Sequence, residues 1–109
     1  MIIDFASMKE EIIPEFKNGK GILAARTFAE PACRIMHGTL APGSSVGYHK
    51  HETSCEVIYV LSGEAEFEYE DTREAVKAGG CHYCPKGHSH SVLNNGTEDL
   101  VYLAVVPEQ

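Results

Sequence analysis

Two histidines and a glutamate stand close together in the segment GYHKHETSCE, residues 47–56. His49 and His51 are one residue apart, so a β-strand would place both rings on one face, roughly 6.5–7 Å apart along the strand. One cation, about 2 Å from each imidazole nitrogen, fits between two such rings. Glu56 follows the turn ETSC, and a hairpin partner strand would return its carboxylate to the same point. Spacing alone leaves a second interpretation open, because paired histidines also occur on protein surfaces.

A second histidine pair, His88 and His90, lies in the segment PKGHSH at the start of another predicted strand. Three imidazoles and one carboxylate would form a site of nitrogen and oxygen ligands. Such a site suits one divalent transition metal, namely Mn, Fe, Ni, Co or Zn, and does not indicate a soft metal that prefers thiolates. The residue types therefore predict a possible metal site whose ion is left open.

The chain has 109 residues, about the size of one domain, and a formal net charge of −7. That charge argues against binding to nucleic acid or to an anionic membrane, since both need a basic face. No stretch approaches the roughly 20 apolar residues of a membrane helix. The segment MIIDFASMKEE lacks the basic flank and apolar run of a signal peptide. We therefore expect a cytoplasmic protein with reduced cysteines.

Cys81 and Cys84 form a C-x-x-C pair between AGG and Pro85. A zinc ribbon needs a second such pair, and a thioredoxin-like site needs the pair at the start of a helix. Here the surrounding residues indicate a short strand, in which positions three apart point to opposite faces. We therefore interpret both residues as structural, and we interpret Cys33 and Cys55 in the same way.

Alternation of apolar and polar residues predicts strands along most of the chain. Residues 7–13 are predicted to begin a short helix, because Ser7 and Glu10 fit a capping box and Pro14 discourages continuation. Beyond it, GILAARTF and CRIMHGTLA form a predicted strand pair. Further strands and turns are predicted in EVIYVL, EAEFEYE, EAVKAGG, CHYC and SVLNNGTEDLVYLAVV. Many short strands and one weak helix indicate an all-β sandwich or barrel.

Two motifs in the sequence resemble those of the cupin family. The first is Gly, five residues, His-x-His, three or four residues, Glu, six residues and Gly; it is met by Gly43, His49, His51, Glu56 and Gly63. The second is Gly, five residues, Pro-x-Gly, two residues, His, three residues and Asn; it is met by Gly79, Pro85, Gly87, His90 and Asn94. The motifs occur in the family's order. One departure is Gly80, where many members have Asp.

The resemblance to a small single-domain cupin implies an all-β fold, the double-stranded β-helix or jelly-roll barrel, here with a short N-terminal helical segment. Residues 1–109 would form one domain, with 1–20 as an N-terminal extension and 21–107 as the β-barrel. The resemblance implies that the metal ligands are His49, His51, Glu56 and His90, inside one end of the barrel. It also implies a homodimer, in which the partner would cover three outward-facing residues, Val57, Tyr59 and Leu61.

The same alternation predicts a narrow pocket, largely apolar around its metal end, that fits a small ligand. The candidate pocket residues are Ile58, Val60, Phe67, Tyr69, Arg34 and His37. Arg34 belongs to this set because a guanidinium suits a carboxylate, although a surface position is the alternative. We expect His88 to lie at the edge of the site without ligating, and His82 to be structural.

Four protein ligands on a metal that prefers six leave about two positions open, for water, dioxygen or a chelating pair of substrate oxygens. The first hypothesis is a metal-dependent enzyme acting on a short carboxylic acid, a diketone or a sugar derivative, by dioxygenase-like oxidation, decarboxylation or isomerisation. The alternative is a non-catalytic module that binds or senses a small ligand through the metal. A third interpretation is a barrel that the metal only stabilises. Cupins host unrelated reactions, so the resemblance does not choose among these.

Overall fold

A computed structural model describes all of residues 1–109 as ten β-strands and two short 3-10 turns. The strands are β1 (Glu11–Pro14), β2 (Ile22–Glu30), β3 (Cys33–Leu40), β4 (Ser45–Lys50), β5 (Glu56–Ser62), β6 (Glu64–Tyr69), β7 (Thr72–Lys77), β8 (Cys81–Cys84), β9 (Ser89–Leu93) and β10 (Leu100–Pro107). The 3-10 turns are Phe5–Ser7 and Phe16–Asn18. Neither turn approaches the length and hydropathy of a membrane-crossing helix, and the structure contains no other helix.

The strands form two antiparallel sheets that face each other. One sheet has six strands in the order β1-β2-β3-β10-β5-β8, and the other has four in the order β4-β9-β6-β7. From β3 onward the chain changes sheet at almost every connection, and only β6 and β7 are consecutive strands of one sheet. This interleaved path is that of the double-stranded β-helix. The predicted all-β barrel is therefore confirmed.

The hydrophobic core lies between the two sheets and follows the predicted alternation. In β5, Ile58 and Val60 are almost fully buried, whereas Tyr59 and Leu61 are 42% and 44% exposed. The core consists of twelve buried residues, Leu23, Ala25, Leu40, Val46, Ile58, Val60, Ala65, Phe67, Val92, Leu100, Tyr102 and Ala104. Both sheets contribute to this core, which fills the space between their inner faces.

The helix predicted over residues 7–13 is wrong. The N-terminal helical segment is only the turn Phe5–Ser7, which begins at Asp4, whose side chain accepts a hydrogen bond from the backbone N–H of Ala6. Residues 11–14 instead form β1, in which Ile13 is paired with Leu23 of β2 and packs against the core. Two β-branched residues in succession favour a strand once a neighbouring strand is available, and this outweighs the capping signal.

The C-x-x-C pair forms β8, as the sequence predicts. Cys81 is exposed and Cys84 is buried, so the two thiols point to opposite faces of the strand. All four cysteines of the chain are free thiols. The interpretation of this pair as structural residues, without a disulfide, agrees with that geometry.

The connection between β1 and β2 crosses over β4 at very short range. Glu15, Lys17 and Asn18 have positive φ angles of 50°, 55° and 64°, which turn the chain tightly onto the sheet. A Cβ atom on Gly47 would lie 1.9 Å from the Lys17 carbonyl oxygen, and one on Gly19 would lie 2.1 Å from the Ser45 carbonyl oxygen. Both glycines are therefore required for this close approach of two backbones.

Candidate metal centre

The side chains of His49, His51, Glu56 and His90 converge inside the barrel, and their ligand atoms all lie within 4.8 Å of one another. The Nε2 atom of His51 is 3.2 Å from Nε2 of His49, 3.0 Å from Nε2 of His90 and 3.0 Å from Oε1 of Glu56. The Nε2 atom of His90 is 2.8 Å from the same carboxylate oxygen. The four residues of the predicted ligand set are thus brought together at one point.

These separations match the coordination shell of a transition metal. With bonds of about 2.1 Å, neighbouring ligand atoms around an octahedral ion lie about 3 Å apart. The four measured separations lie between 2.8 and 3.2 Å. Imidazole nitrogen and carboxylate oxygen are ligands for Mn, Fe, Ni, Co and Zn. The residues therefore fit such an ion, and on an ion that takes six ligands they would leave two positions open.

Strand pairing brings the histidines together. His49 of β4 and His90 of β9 are direct partners across the ladder, after a register shift between Val46 and His49. His51 follows the end of β4, where its backbone N–H donates to the His88 carbonyl at 2.9 Å and its carbonyl accepts from the Gly87 N–H at 2.6 Å. These two bonds hold the loop after β4 against the start of β9.

The expectation that Glu56 returns on a hairpin partner of the histidine strand is wrong. The strand β4 pairs with β9 in the four-stranded sheet, whereas Glu56 begins β5 in the six-stranded sheet, between β8 and β10. The chain crosses between the sheets after His51. The carboxylate therefore approaches the three imidazoles from the opposite wall of the barrel.

The second nitrogen of each imidazole is also hydrogen-bonded. Nδ1 of His49 lies 2.7 Å from the Gly47 carbonyl, and Nδ1 of His51 lies 3.0 Å from the Ser54 hydroxyl. Nδ1 of His90 lies 3.0 Å from Nε2 of a further histidine, His82. A carbonyl can only accept, so neutral His49 carries its proton on Nδ1 and turns the lone pair of Nε2 toward the cluster. Partners of this kind orient metal-ligating imidazoles in proteins.

Burial shapes the protonation of the cluster. Burial lowers the pKa of His49 and of His82, which favours the neutral imidazole that binds metals. Burial also acts to raise the pKa of Glu56, but the hydrogen bonds and charges of His51 and His90 outweigh it and lower that pKa to about 2. The site therefore combines an ionised carboxylate with a His49 ring that burial keeps neutral. A cation held between these atoms relieves the repulsion among their lone pairs.

A cavity of about 500 Å³ lies against the cluster, with His49, His51 and Glu56 in its wall. Three cationic side chains also line it, Lys17, Arg34 and Lys50. Its acidic residues besides Glu56 are Glu30, Glu52 and Glu108, and its apolar wall includes Phe16, Met36, Val46, Val92, Tyr102, Ala104 and Val106. This volume suits a small molecule in contact with the cluster.

Of the six candidate pocket residues, Arg34 lines the cavity and the other five lie elsewhere. Ile58, Val60 and Phe67 are buried in the core. The Tyr69 hydroxyl lies 2.6 Å from Nδ1 of His88, and the His37 ring lies 5.8 Å from the ring of Phe5. Strand parity places Ile58, Val60, Phe67 and Tyr69 on inward faces but does not say which of them reach the open end of the barrel. His37 alternates with Met36 and Leu40, which face the core, so its ring lies on the other face of β3.

Two residues near the ligands were not predicted as their partners, His82 and Ser54. His82 is fully buried in β8, and Ser54 is buried in the loop before β5. The alternation in CHYC, which buries His82 with Cys84, is the one sequence signal that could have indicated an inward-facing histidine. Ser54 has no comparable signal, because its contact with His51 depends on the path of the loop.

Comparison with known proteins agrees with this architecture. The family model named "Cupin domain" matches residues 36–106. An oxalate-binding protein of Thermotoga maritima is 35% identical over 112 residues, which cover 97% of this chain and 93% of that protein.

Solved structures show the same similarity in three dimensions. The crystal structure of a predicted oxalate decarboxylase from Thermotoga maritima is 33% identical, covers 100% of both chains and superposes with a TM-score of 0.93. A cupin 2 conserved barrel domain protein from Salinispora arenicola is 26% identical, with 97% of this chain and 85% of that chain covered and a TM-score of 0.71. With the family match, the strand path and the four converging side chains in agreement, this chain belongs to the cupin family.

Proposed function

We propose that this chain binds one divalent transition metal through His49, His51, Glu56 and His90, and holds a small oxygen-rich anion of the oxalate class against it. The observation that carries the proposal is the convergence of three Nε2 atoms and one carboxylate oxygen at separations of 2.8–3.2 Å. The Gly47 carbonyl holds the proton of neutral His49 on Nδ1, so its Nε2 lone pair points into the cluster, as a metal ligand requires.

The ligand class follows from the open positions and the cavity. Two neighbouring positions on an octahedral ion suit a chelating pair of oxygens, as a dicarboxylate such as oxalate provides. Lys17, Arg34 and Lys50 line the cavity, and none of the three forms an ion pair with a carboxylate of this chain. Cationic side chains without partners favour an anionic ligand. The similarity to a protein named for oxalate binding supports the same class.

When bound, the metal would supply Lewis-acid polarisation of ligand oxygens, and redox chemistry if it is iron or manganese. The protein's own residues have distinct tasks. Glu56 supplies a negative charge that favours a cation at the cluster, and the apolar wall limits the water around the ligand. Arg34, in the same wall, is placed to pair with a ligand carboxylate through its guanidinium group.

A second candidate function is decarboxylation of such an anion, supported by the similarity to a predicted oxalate decarboxylase. Loss of CO2 from oxalate breaks the carbon–carbon bond, and a proton takes the place of the departing group to give formate. Glu52 and Glu108 line the cavity, and Glu108 accepts a hydrogen bond from Thr53 at 2.9 Å. A carboxylate at this position can take up a proton from water and pass it to the carbon that loses CO2.

The proposal is tested by titrating oxalate into the manganese-loaded protein in a calorimeter, with the chelator-treated protein and acetate as controls. We expect saturable binding of oxalate to the loaded protein, and little binding either of acetate or to the metal-free protein. Equal binding without metal, or no binding with it, would contradict the proposal. Incubation with ¹³C-oxalate, followed by carbon NMR, then separates the two functions. Formate production supports the decarboxylase, whereas binding without formate supports the binding module.

We also propose that the chain forms a homodimer through the outer face of the six-stranded sheet. Tyr59, Leu61 and Tyr83 are 42%, 44% and 54% exposed there, which is a large apolar area to leave in contact with water. A cytoplasmic location is proposed because all four cysteines are free thiols, as in reducing compartments. The net charge of −7 favours neither nucleic acid nor an anionic membrane as a partner.

A further inference from the structure

His82 is a buried histidine that does not belong to the converging set. It lies on β8, opposite Ile58 of β5, and only 1% of its surface is exposed. Its Nε2 atom is 3.0 Å from Nδ1 of His90, and its Nδ1 atom is 2.8 Å from Oε1 of Glu74. Glu74 belongs to β7 in the other sheet, and its side chain is 43% exposed. A series of hydrogen bonds through Glu74, His82 and His90 therefore runs from the protein surface to the cluster of candidate metal ligands.

The Glu74 carboxylate, at the outer end of this series, determines which nitrogen of each imidazole carries the proton. An ionised carboxylate can only accept, so His82 carries its proton on Nδ1 and donates it to Glu74. In this tautomer the Nε2 atom of His82 carries no proton and is a bare acceptor. It accepts the proton of Nδ1 of His90, which leaves the lone pair of His90 Nε2 facing His51 and Glu56. One carboxylate thereby selects the tautomer of two imidazoles.

Packing holds the His82 ring in the orientation that its two hydrogen bonds require. The His82 ring stacks on Phe67 with a centroid distance of 3.9 Å and an interplanar angle of 13°. The edge of Tyr69 lies against it, 5.6 Å between centroids. His82 and His90 are themselves nearly parallel, at 20° and 5.2 Å. A stacked ring cannot rotate about its χ2 bond without losing these contacts, so both nitrogens remain aimed at their partners.

We propose that Glu74 and His82 are positioning residues that present His90 to the metal in its Nδ1–H tautomer. We call this pair the Glu74–His82 arm. The inference rests on the proposed metal site and adds two residues to it that do not contact the ion. Outer partners of this type fix ring orientation and raise ligand basicity, and their loss costs about 10–100-fold in metal affinity.

The arm is tested first by its effect on metal affinity. In Glu74→Leu the acceptor oxygens are replaced by an apolar side chain, and in His82→Phe an aromatic ring remains but both nitrogens are lost. We expect manganese to bind about 10–100-fold more weakly to each variant in a competition titration. Glu64→Leu, which removes the same charge from an exposed position on β6, is the matched control and should bind manganese as the wild type does. His82→Gln, whose amide oxygen can accept from His90, should recover part of the affinity lost in His82→Phe.

The second measurement reports the tautomer directly and does not need the metal. Long-range ¹H–¹⁵N NMR spectra of the metal-free protein at about pH 8, where imidazoles are neutral, distinguish Nδ1–H from Nε2–H rings. We expect His90 to be Nδ1–H in the wild type and to lose this preference in Glu74→Leu.

The outcomes separate the arm from the metal centre. Wild-type His90 in the Nε2–H form, or unchanged manganese affinity in Glu74→Leu, would overturn the inference. If His82→Phe does not fold, Glu74→Leu decides alone, because Glu74 is partly exposed. If the wild type binds no metal, the proposed function fails, while the tautomer spectra still decide whether the arm exists.

Discussion

His49 and His90 are direct partners across β4 and β9, and their rings meet edge to face, 4.9 Å apart at 65°. The strand register therefore determines whether the cluster exists at all. A shift of one residue would turn one ring to the other face of the sheet. The irregularity between Val46 and His49 belongs to this register and aligns the two histidines. Four predictions about the metal site and its support, and one about assembly, follow from the geometry.

Removal of one central ligand should abolish tight metal binding. His51 is the residue whose Nε2 lies within 3.2 Å of all three other ligand atoms, so His51→Ala removes the ligand atom at the centre of the group. We expect affinity for manganese or zinc to fall by at least about 100-fold. Metal content after dialysis, measured by mass spectrometry, checks this. His37→Ala, outside the cluster, should retain the wild-type content, and normal metal content in His51→Ala would contradict the assignment.

Metal should stabilise the folded protein, because the ligands converge only when both sheets are assembled. At a free metal concentration about 100 times Kd, binding should add about 2.7 kcal/mol to the free energy of unfolding. For a domain of this size, that corresponds to a rise in Tm of roughly 10 °C or more. Scanning calorimetry of the chelator-treated protein, with and without added manganese, measures the difference. Identical melting curves would count against a specific site.

The ionised form of Glu56 should stabilise the metal-free protein in a pH-dependent way. Its folded pKa of about 2 lies below the ordinary value of 4.5. The contribution of ionised Glu56 to the free energy of unfolding is therefore complete above pH 4.5. It is lost as the pH falls from about 4.5 towards 2, by an amount of order 3 kcal/mol. The variant Glu56→Gln has no ionisable group at this position. The stability difference between the two proteins, measured by urea unfolding, should narrow from pH 6 to about pH 3. A difference independent of pH would contradict the prediction.

The close backbone contact at Gly47 should not tolerate a side chain. In Gly47→Ala the new Cβ would overlap the Lys17 carbonyl, so the crossing segment must move away from β4. We expect a loss of roughly 1–3 kcal/mol, in the range of overpacking substitutions. Weaker metal binding should accompany it, because the Gly47 carbonyl orients His49. Gly96→Ala is the control, since its nearest neighbour would be 3.4 Å away. Equal unfolding midpoints for the two variants would refute this account.

The proposed dimer should depend on the exposed residues of β5. Tyr59→Glu with Leu61→Lys places two charges on the outer face, where burial against a second subunit would be costly. We expect sedimentation velocity to show a dimer for the wild type and a monomer for this double variant. Metal content should remain unchanged, because both side chains point away from the barrel interior. A monomeric wild type would remove the proposal.

Much of this site could be predicted from the sequence because it depends on strand parity. His49 and His51 share a face, and β5 buries Ile58 and Val60, as alternation alone requires. Glu56 is already a candidate ligand from the residues, and the motif positions of the family resemblance select His90 from the pair His88 and His90. The strand pair from GILAARTF and CRIMHGTLA is also found, as β2 and β3 in antiparallel register.

The parts that could not be predicted depend on which strands pair. Glu10 and Ser7 favour a helix locally, but Ile12 and Ile13 pair with β2, a contact invisible in residues 7–13 alone. The turn ETSC connects two sheets and not two strands of a hairpin, because the partner of β4 is β9, some 40 residues on. His82 and His90 likewise lie on β8 and β9, which belong to different sheets, and they meet only in the assembled barrel. Local patterns contain no information about such distant pairing.

The origin of the ligands in both sheets has a mechanical consequence. Two of the histidines come from β4 and β9, and Glu56 comes from β5 in the facing sheet. An ion held by all of them would act as a cross-link between the two halves of the barrel, placed at one end only. Amide hydrogen exchange should then slow in both sheets together near that end, while the end at Gly63 and Asn94 opens as freely as before.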